Sequence, residues 1–233
     1  MKPVITHPWE LSTDKARALQ SQLAEKVIPE TTFDPSKVQT VAGVDVSFPG
    51  GMARAAIVVL LLPELEPVDC ALAETPVAFP YVPGLLTFRE GPSVLAALAE
   101  IKVQPDLLIF DGQGVAHPRR MGLAAHMGLI LDRPSIGCAK SRLVGRYDEP
   151  GQAAGDWTPL YDREEIIGRV VRTRARVKPV FVSIGHRVDL ETATEFVLRC
   201  TTRYRLPETT RMAHRLAGGA ELAIGSRQQG MDR

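Results

Sequence analysis

The sequence predicts an α/β domain built around a mixed β-sheet. Three strand-like segments follow one another closely in the first third of the chain, and helix-like and strand-like segments then alternate to about residue 216. Strands joined by tight turns pair antiparallel, whereas strands joined through helices pair in parallel. This order therefore predicts an antiparallel meander followed by parallel strands, flanked by helices. The 233 residues suit a single domain, with a core over about residues 10–216.

The first half of the chain contains one amphipathic helix and the meander. Apolar residues recur at helical spacing over residues 8–29, where Ser12 or Thr13 is placed to cap the helix, and Pro35 ends the pattern. Proline and glycine then mark the turns between strands. We predict the three strands over residues 38–47, 54–62 and 67–74.

The second half begins after a proline-rich loop at residues 79–84. We predict helices over residues 86–103, 120–130, 190–204 and 208–216, and strands over residues 106–111, 135–139, 165–172 and 180–184. The tail from Gly218 onwards contains Gly, Gln and Ser and is expected to be flexible.

The composition is that of an ordinary soluble protein. Hydrophobic residues make up 45% of the chain, and no apolar run approaches the roughly 20 residues that span a bilayer. Residues 1–8 contain no signal-peptide core. The three cysteines are widely spaced and form no CxxC pair, which argues against a disulfide framework or a zinc site. We expect a cytoplasmic protein that is monomeric and does not associate with membranes.

Positive charge is concentrated in the last third of the chain. The net charge is +1, yet residues 163–215 contain twelve Lys and Arg against six Asp and Glu. A basic region beside an acidic remainder suits a protein that grips a polyanion on one side and holds cations on the other. Solvated helix faces are the alternative interpretation.

The segment over residues 110–120 carries the densest chemistry. Asp111 directly follows an apolar strand, Gly112 and Gly114 allow a ligand to approach the backbone, and His117, Arg119 and Arg120 follow at once. A carboxylate, an open loop and a group of cations in one place indicate metal-dependent chemistry on a phosphate ester. A plain polar turn is the alternative, because Asp-Gly turns are common.

Two further acids are placed to join Asp111. Asp45 lies within an apolar strand, where a carboxylate is costly unless it is paired or bound to a cation, and Glu90 lies at the start of a helix. In the proposed sheet, Asp45 and Asp111 lie on neighbouring strands. A cluster of three carboxylates suits Mg²⁺ or Mn²⁺ and needs the cation to offset its own repulsion. Taken singly, Asp45 can be a strand residue that points to solvent, and Glu90 can be an acid that interacts with the helix dipole.

Three other features fit a nucleic-acid enzyme. Lys140 follows the short strand at residues 135–139 and can hold a phosphate beside the carboxylates. His214 lies on a late helix and reaches them if that helix packs across the sheet. The loop Pro80-Tyr81-Val82-Pro83 is stiff and presents an aromatic tip, and such a wedge can open a base stack.

In order along the chain, these segments resemble the endonuclease V family. The resemblance covers about residues 10–216, and no single motif decides it. The matching segments are residues 41–45 (VAGVD), 80–84 (PYVPG), 88–90 (FRE), 111–114 (DGQG), 117–120 (HPRR), 137–143 (GCAKSRL), 185–186 (GH) and 205–211 (RLPETTR).

The resemblance implies a ribonuclease-H-like fold and a DNA-repair function. Members of this family recognise deoxyinosine, whose base is hypoxanthine, and cut the second phosphodiester bond 3′ to it, leaving 3′-hydroxyl and 5′-phosphate ends. The resemblance implies Mg²⁺ as the cofactor, for which Mn²⁺ can substitute. It assigns metal binding to Asp45, Glu90 and Asp111, and catalysis to these acids with Lys140 and His214.

The resemblance also implies a base-recognition site. Tyr81, within the wedge at Pro80, Val82 and Pro83, fills the gap that a flipped base leaves. The residues expected to bind the substrate are the wedge together with Gly84, Leu86, Gly112, His117, Gly122 and Leu123. Backbone groups around glycines can pair with the hypoxanthine carbonyl and its N1–H, and adenine would leave them unpaired.

Two other functions stay open at this point. The substrate can be inosine in RNA rather than in DNA, which would make the protein an inosine-specific endoribonuclease. The protein can also be a module that binds damaged DNA without cutting it, provided that the acids are structural.

Overall fold

An antiparallel meander of three strands forms one half of the sheet in the computed structural model, which describes residues 1–224. β1 (Thr40–Ser47) pairs with β2 (Met52–Leu61), and β2 pairs with β3 (Glu66–Pro76). The apolar run predicted for the second strand forms β2, whose residues from Ala55 to Leu60 are fully buried. The predicted meander is confirmed.

The other half of the sheet begins with two parallel strands. β4 (Leu107–Phe110) pairs in parallel with β1, and β5 (Ser135–Ala139) pairs in parallel with β4. β1, β4 and β5 therefore end at the same edge of the sheet. This arrangement of a meander followed by parallel strands is the ribonuclease-H-like fold that was predicted.

Beyond β5 the sheet returns to antiparallel pairing. β8 (Val180–His186) pairs with β5, β7 (Glu165–Val171) with β8, and β6 (Trp157–Asp162) with β7. The order of the eight strands is β3-β2-β1-β4-β5-β8-β7-β6. The prediction did not include β6, because Pro159 interrupts its pattern. Proline is tolerated there because β6 lies at the edge of the sheet.

Helices cover both faces of the sheet. α2 (Leu86–Glu100) and α3 (Leu123–Leu131) pack on one face, against side chains that include Ala42, Val44 and Phe110. α4 (Leu190–Arg199) and α5 (Glu208–Ala217) pack on the other face, against a layer that includes Val41 and Ile109. α1 (Thr13–Ala24) lies outside α3, where Leu23 joins Met121 and Ala125. Within the described residues, no helix is long and apolar enough to span a membrane.

Several predicted boundaries were wrong by a few residues. α1 ends at Ala24 instead of residue 29, because the Ile28 carbonyl accepts from the Arg187 N–H and the Ile28 N–H donates to Nδ1 of His186, the last residue of β8. α3 begins at Leu123, because Arg120 has a left-handed φ of 55°. α4 ends at Arg199 instead of residue 204.

The start of the tail is partly anchored. Leu222 packs against the core beside α4 and α5, although residues 218–224 form neither helix nor strand. Residues 225–233, to which the predicted flexibility also applied, lie outside the described residues.

Candidate active site

Asp45 is placed by the close approach of α5 to β1. A side chain at Gly43 would put its Cβ 2.0 Å from the Thr209 carbonyl oxygen, so only glycine lets the first turn of α5 lie on the strand. Asp45 lies two residues further along β1 and therefore points to the same face. His214 then lies over it, with Nδ1 2.7 Å from Asp45 Oδ2. The condition under which His214 would reach the carboxylates, namely that its helix packs across the sheet, is therefore met.

Asp111 is delivered to the same edge by the parallel neighbour of β1. Its N–H donates to the Val44 carbonyl at 3.0 Å, which continues the β1–β4 pairing one residue beyond β4. Lys140, immediately after β5, places Nζ 2.5 Å from Asp111 Oδ2. The Lys140 side chain is 40% exposed, whereas that of Asp111 is 10% exposed. Lys140 therefore contacts the carboxylate and remains accessible to a ligand.

The side chains that converge at this edge suit a divalent cation. One ligand atom each from Asp45, Asp111 and His214 lies within 4.8 Å of the other two. Two carboxylates and an imidazole form a donor set that such ions accept. His214 was expected near the metal centre but not in the metal-binding set, whereas Glu90 was expected in that set and does not belong to this group of three.

Glu90 reaches the cluster from α2, on the other face of the sheet. Burial and the charges of Asp45 and Asp111 raise the pKa of its carboxyl from 4.5 to about 8. Burial and the charge of Asp111 also raise the pKa of Asp45, against the hydrogen bond from His214. Three acids therefore oppose one another's ionisation, as expected of a site that needs a cation.

A cavity of about 140 Å³ opens directly beside the carboxylates. Its wall includes two of the acids, Glu90 and Asp111. It also contains eight of the ten residues predicted to bind the substrate, namely Tyr81, Pro83, Gly84, Leu86, Gly112, His117, Gly122 and Leu123. Pro80 and Val82 do not line it; Pro80 is exposed, and Val82 packs on the cluster around Phe79 and Phe88.

The glycines at and next to this cavity differ in how closely the backbone of other segments packs against them. A Cβ on Gly122 would lie 2.3 Å from the Gln113 carbonyl oxygen, and one on Gly114 would lie 1.9 Å from that of Ile184. Gly112 differs, because a Cβ there would meet only Leu123 at 3.7 Å. Gly114 and Gly122 therefore serve close packing, whereas Gly112 leaves open space at the cavity wall.

His117 supports the wedge side of the cavity from behind. Its Nδ1 accepts from the Arg119 N–H at 3.1 Å, so Nε2–H donates to the Gly84 carbonyl at 2.9 Å. Arg119 Nη2 donates to the same carbonyl at 2.7 Å. Burial and the charge of Arg119 lower the pKa of His117 to about 4, so the ring is neutral at pH 7. Gly84, at φ 78°, is thus fixed in a left-handed turn.

Arg119 and Arg120 were expected to contribute positive charge to chemistry on a phosphate ester. In the structure, both side chains are instead engaged in contacts within the protein. Arg120 pairs with Asp162 at 2.9 Å and with Glu165 at 2.7 Å. Arg119 donates to Gln20 at 2.7 Å besides Gly84. Both arginines therefore hold the loop in place, because neighbouring acids and carbonyls occupy their donors.

Tyr81 stands at the tip of the wedge loop and is 69% exposed. The loop is anchored at both ends by the buried residues Phe79 and Leu85, and Arg89 donates to the Phe79 carbonyl at 3.1 Å. The loop thus presents an exposed aromatic ring beside the cavity, and the role of Tyr81 as a wedge stays a prediction.

Three residues of the cavity wall were not predicted: Thr87, Gln113 and Leu143. Gln113 stands inside the 111–114 motif, and its Nε2 donates to the Ser141 carbonyl at 2.9 Å. Leu143 comes from the segment after β5 and is 44% exposed. Its position in the 137–143 segment, three residues after Lys140, was the available signal in the sequence.

Comparison with known proteins agrees with this geometry. The family model described as Endonuclease V matches residues 21–215. An Endonuclease V from Roseiflexus castenholzii is 54% identical over 217 residues, which cover 93% of this chain and 97% of that protein.

Solved structures of Endonuclease V share the fold. The structure from Streptomyces avermitilis has a TM-score of 0.87 at 44% identity and covers 94% of this chain and 96% of that one. The structure from Ciona intestinalis, in complex with a 24mer DNA containing an inosine followed by a ribo-adenosine, has a TM-score of 0.78 at 31% identity, with 88% and 95% covered. The chain belongs to the endonuclease V family and is a nuclease.

Proposed function

We propose that the protein is a DNA-repair endonuclease that recognises deoxyinosine and hydrolyses the second phosphodiester bond 3′ to it. The products are 3′-hydroxyl and 5′-phosphate ends, and Mg²⁺, or Mn²⁺ in its place, is the cofactor. One observation carries the proposal: the walls of a base-sized cavity include Glu90 and Asp111, so a base held there keeps its own strand beside the carboxylates.

The cavity offers groups that suit hypoxanthine. Leu123 is the first residue of α3, so its N–H has no acceptor within the helix and can donate to the hypoxanthine carbonyl. The amino group of adenine would instead bring a donor against this donor, and a buried unpaired donor costs about 1–3 kcal/mol. The Gly84 carbonyl is not available for N1–H, because His117 and Arg119 already donate to it.

Asp45, Asp111 and His214 would hold the cation, and Glu90 would complete its surroundings. When bound, such an ion supplies positive charge to the phosphate and lowers the pKa of a water molecule. The pKa of Glu90 is raised to about 8 in the absence of a cation, and a bound ion would favour its ionised form, which could accept a proton from the attacking water.

Lys140 and His214 would act on the phosphate. Lys140 Nζ contacts Asp111 and can turn a second N–H towards a phosphate oxygen. The His214 side chain is 62% exposed and directs Nδ1 towards Asp45 and the proposed cation position, so Nε2 would remain to contact the phosphate. Tyr81 would fill the gap left when the base enters the cavity, and a weak inosine pair makes that opening less costly.

The experiment compares the nicking of an inosine-containing duplex with that of a matched adenine duplex. We expect nicking of the inosine strand in Mg²⁺, none in EDTA, and a loss of at least about 100-fold for Asp45→Ala. Unimpaired nicking by Asp45→Ala would reject the metal assignment. Binding without nicking over a long incubation would instead support a module that recognises damage without cutting.

Inosine in RNA is the second candidate substrate. The bound strand of the Ciona intestinalis relative carries a ribo-adenosine after the inosine, so that protein accommodates a ribose next to the lesion. Cleavage rates on DNA and RNA strands of the same sequence decide between the two substrates for this chain. A higher kcat/KM on RNA would assign RNA as the substrate instead of DNA.

A further inference from the structure

A second, larger groove lies on the far side of Lys140 from the base cavity. It has a volume of about 770 Å³ and lies between the segment after β5 and the segment before β8, with walls that include Arg142, Tyr147, Lys178 and Arg205. Lys140 lines this groove and also contacts Asp111. This β5–β8 groove is therefore continuous with the candidate active site along one edge of the sheet.

The β5–β8 groove is positively charged. Lys140, Arg142 and Lys178 are exposed on its walls. The acid in its lining, Glu149, is paired with Arg172 at 2.9 Å and adds little free negative charge. Exposed cations along a groove provide the electrostatic track that a phosphate backbone follows.

An aromatic surface lies among these cations. Tyr147 packs edge-on against Phe181 with ring centroids 5.4 Å apart, so the ring is held in place. The Arg142 guanidinium lies 5.7 Å from the centre of the Tyr147 ring. A fixed aromatic ring beside cations is the combination that binds single strands without sequence preference, because every base can stack.

Arg205 fixes the two walls of the groove relative to each other. Its Nη2 donates to the Lys140 carbonyl at 2.6 Å on one wall and to the Pro179 carbonyl at 2.7 Å on the other. Gln113 Nε2 ties the Ser141 carbonyl to the Asp111 loop at 2.9 Å. The groove is thus preformed and held in register with the carboxylates, which reduces the entropy cost of binding.

We propose that the β5–β8 groove binds the nucleic-acid strand on the 3′ side of the scissile bond, through phosphate contacts to Arg142 and Lys178. The proposal rests on the proposed function, because it takes the lesion to occupy the base cavity and the cut to lie 3′ of it. The strand then runs from the cavity past Asp111 and Lys140, and it enters the groove beyond Lys140, on the side away from the cavity.

The test uses the double variant Arg142→Ala/Lys178→Ala and single-stranded DNA that contains one inosine. Nicking in Mg²⁺ is measured on a substrate with a full flank of about ten nucleotides on each side. Binding in EDTA is measured on this substrate, on one that lacks the 3′ flank beyond the position of the cut, and on one that lacks the 5′ flank. Lys37→Ala is the matched control, because Lys37 is exposed just before β1, at the opposite edge of the sheet from Asp45.

Two lost phosphate contacts predict a measurable change. The slope of log K against log salt should become less negative by about 1.4, and affinity in 0.1 M salt should fall by roughly 20-fold. Removal of the 3′ flank should weaken the wild type by a similar factor and leave the double variant unchanged. Removal of the 5′ flank should affect both proteins equally, and Lys37→Ala should behave as the wild type.

Two results would overturn the proposal while leaving the function intact. One is a double variant that nicks at the inosine and remains as sensitive to 3′ truncation as the wild type. The other is a double variant that loses its sensitivity to 5′ truncation instead, which would assign the groove to the opposite flank. A wild type that does not distinguish inosine from adenine would reject the proposed function itself.

Discussion

Glu90→Gln should change the pH dependence of stability in the metal-free protein. The folded state holds the proton of Glu90 more tightly than the unfolded chain does, because burial, Asp45 and Asp111 raise its pKa from 4.5 to about 8. A group whose pKa is raised on folding contributes stability that is fully present at a pH below its pKa in the unfolded chain. This stability is lost as the pH rises through its pKa in the folded protein. Gln cannot ionise, so the variant should not show this loss.

The size of the effect is set by the two pKa values. Each unit of difference corresponds to about 1.4 kcal/mol, so the wild type should lose roughly 3 kcal/mol relative to Glu90→Gln between pH 5 and pH 7.5. The loss continues to about pH 8, where Glu90 is half ionised in the folded protein. Added Mg²⁺ should reduce it, because a cation favours the ionised carboxylate.

Urea unfolding in EDTA at several pH values measures this difference directly. Glu100→Gln is the control, because Glu100 ends the same helix and is exposed. Its stability should follow the wild type at every pH. Parallel curves for the wild type and Glu90→Gln from pH 5 to 8 would show that Glu90 does not interact with the carboxylates as described.

Three further outcomes are expected from the geometry. Gly43→Ala should destabilise the fold by about 1–3 kcal/mol and reduce nicking, because the added Cβ would displace α5 and His214. The control Gly218→Ala should be tolerated, because a Cβ there meets other atoms at no less than 3.4 Å. Urea unfolding and nicking rates measure both variants. ¹⁵N NMR spectra should show a neutral His117 ring from pH 8 down to 5.5, because its pKa is lowered to about 4. The stability that the neutral ring contributes should be lost only as the pH falls from 6.5 towards 4. An imidazole that titrates near 6.5 would contradict its burial. Tyr81→Ala should change stability by no more than about 0.5 kcal/mol, because the ring is exposed, and should slow nicking of a duplex more than of a single strand. Equal slowing on both substrates would contradict the wedge.

The carboxylate site was predictable because strand order carries the information. Asp45 and Asp111 are 66 positions apart in the sequence, yet Asp45 lies near the end of one apolar strand and Asp111 directly follows another, and parallel neighbouring strands end at the same edge of a sheet. The position of His214 depended on α5 lying across β1. The contact between α5 and β1 depends on Gly43. The sequence identifies this glycine but does not reveal which segment packs against it.

The surroundings of the cavity were less predictable, because their roles depend on long-range partners. Arg120 is a residue type that commonly contacts phosphate, but its guanidinium pairs with Asp162 and Glu165, which lie more than forty positions away in the sequence. Asp162 lies on β6, which was not predicted, so its pairing could not be anticipated. Leu143 lines the cavity from the segment after β5, which Gln113 ties to the Asp111 loop through a contact between residues 28 positions apart.

A crystal structure with Mn²⁺ and an inosine-containing strand tests the central claim most directly, namely that the base cavity and the metal centre are parts of one site. We predict an anomalous peak among Asp45, Asp111 and His214, with hypoxanthine in the cavity lined by Gly112 and Leu123. Hypoxanthine bound outside this cavity, or Mn²⁺ bound away from these three side chains, would contradict it.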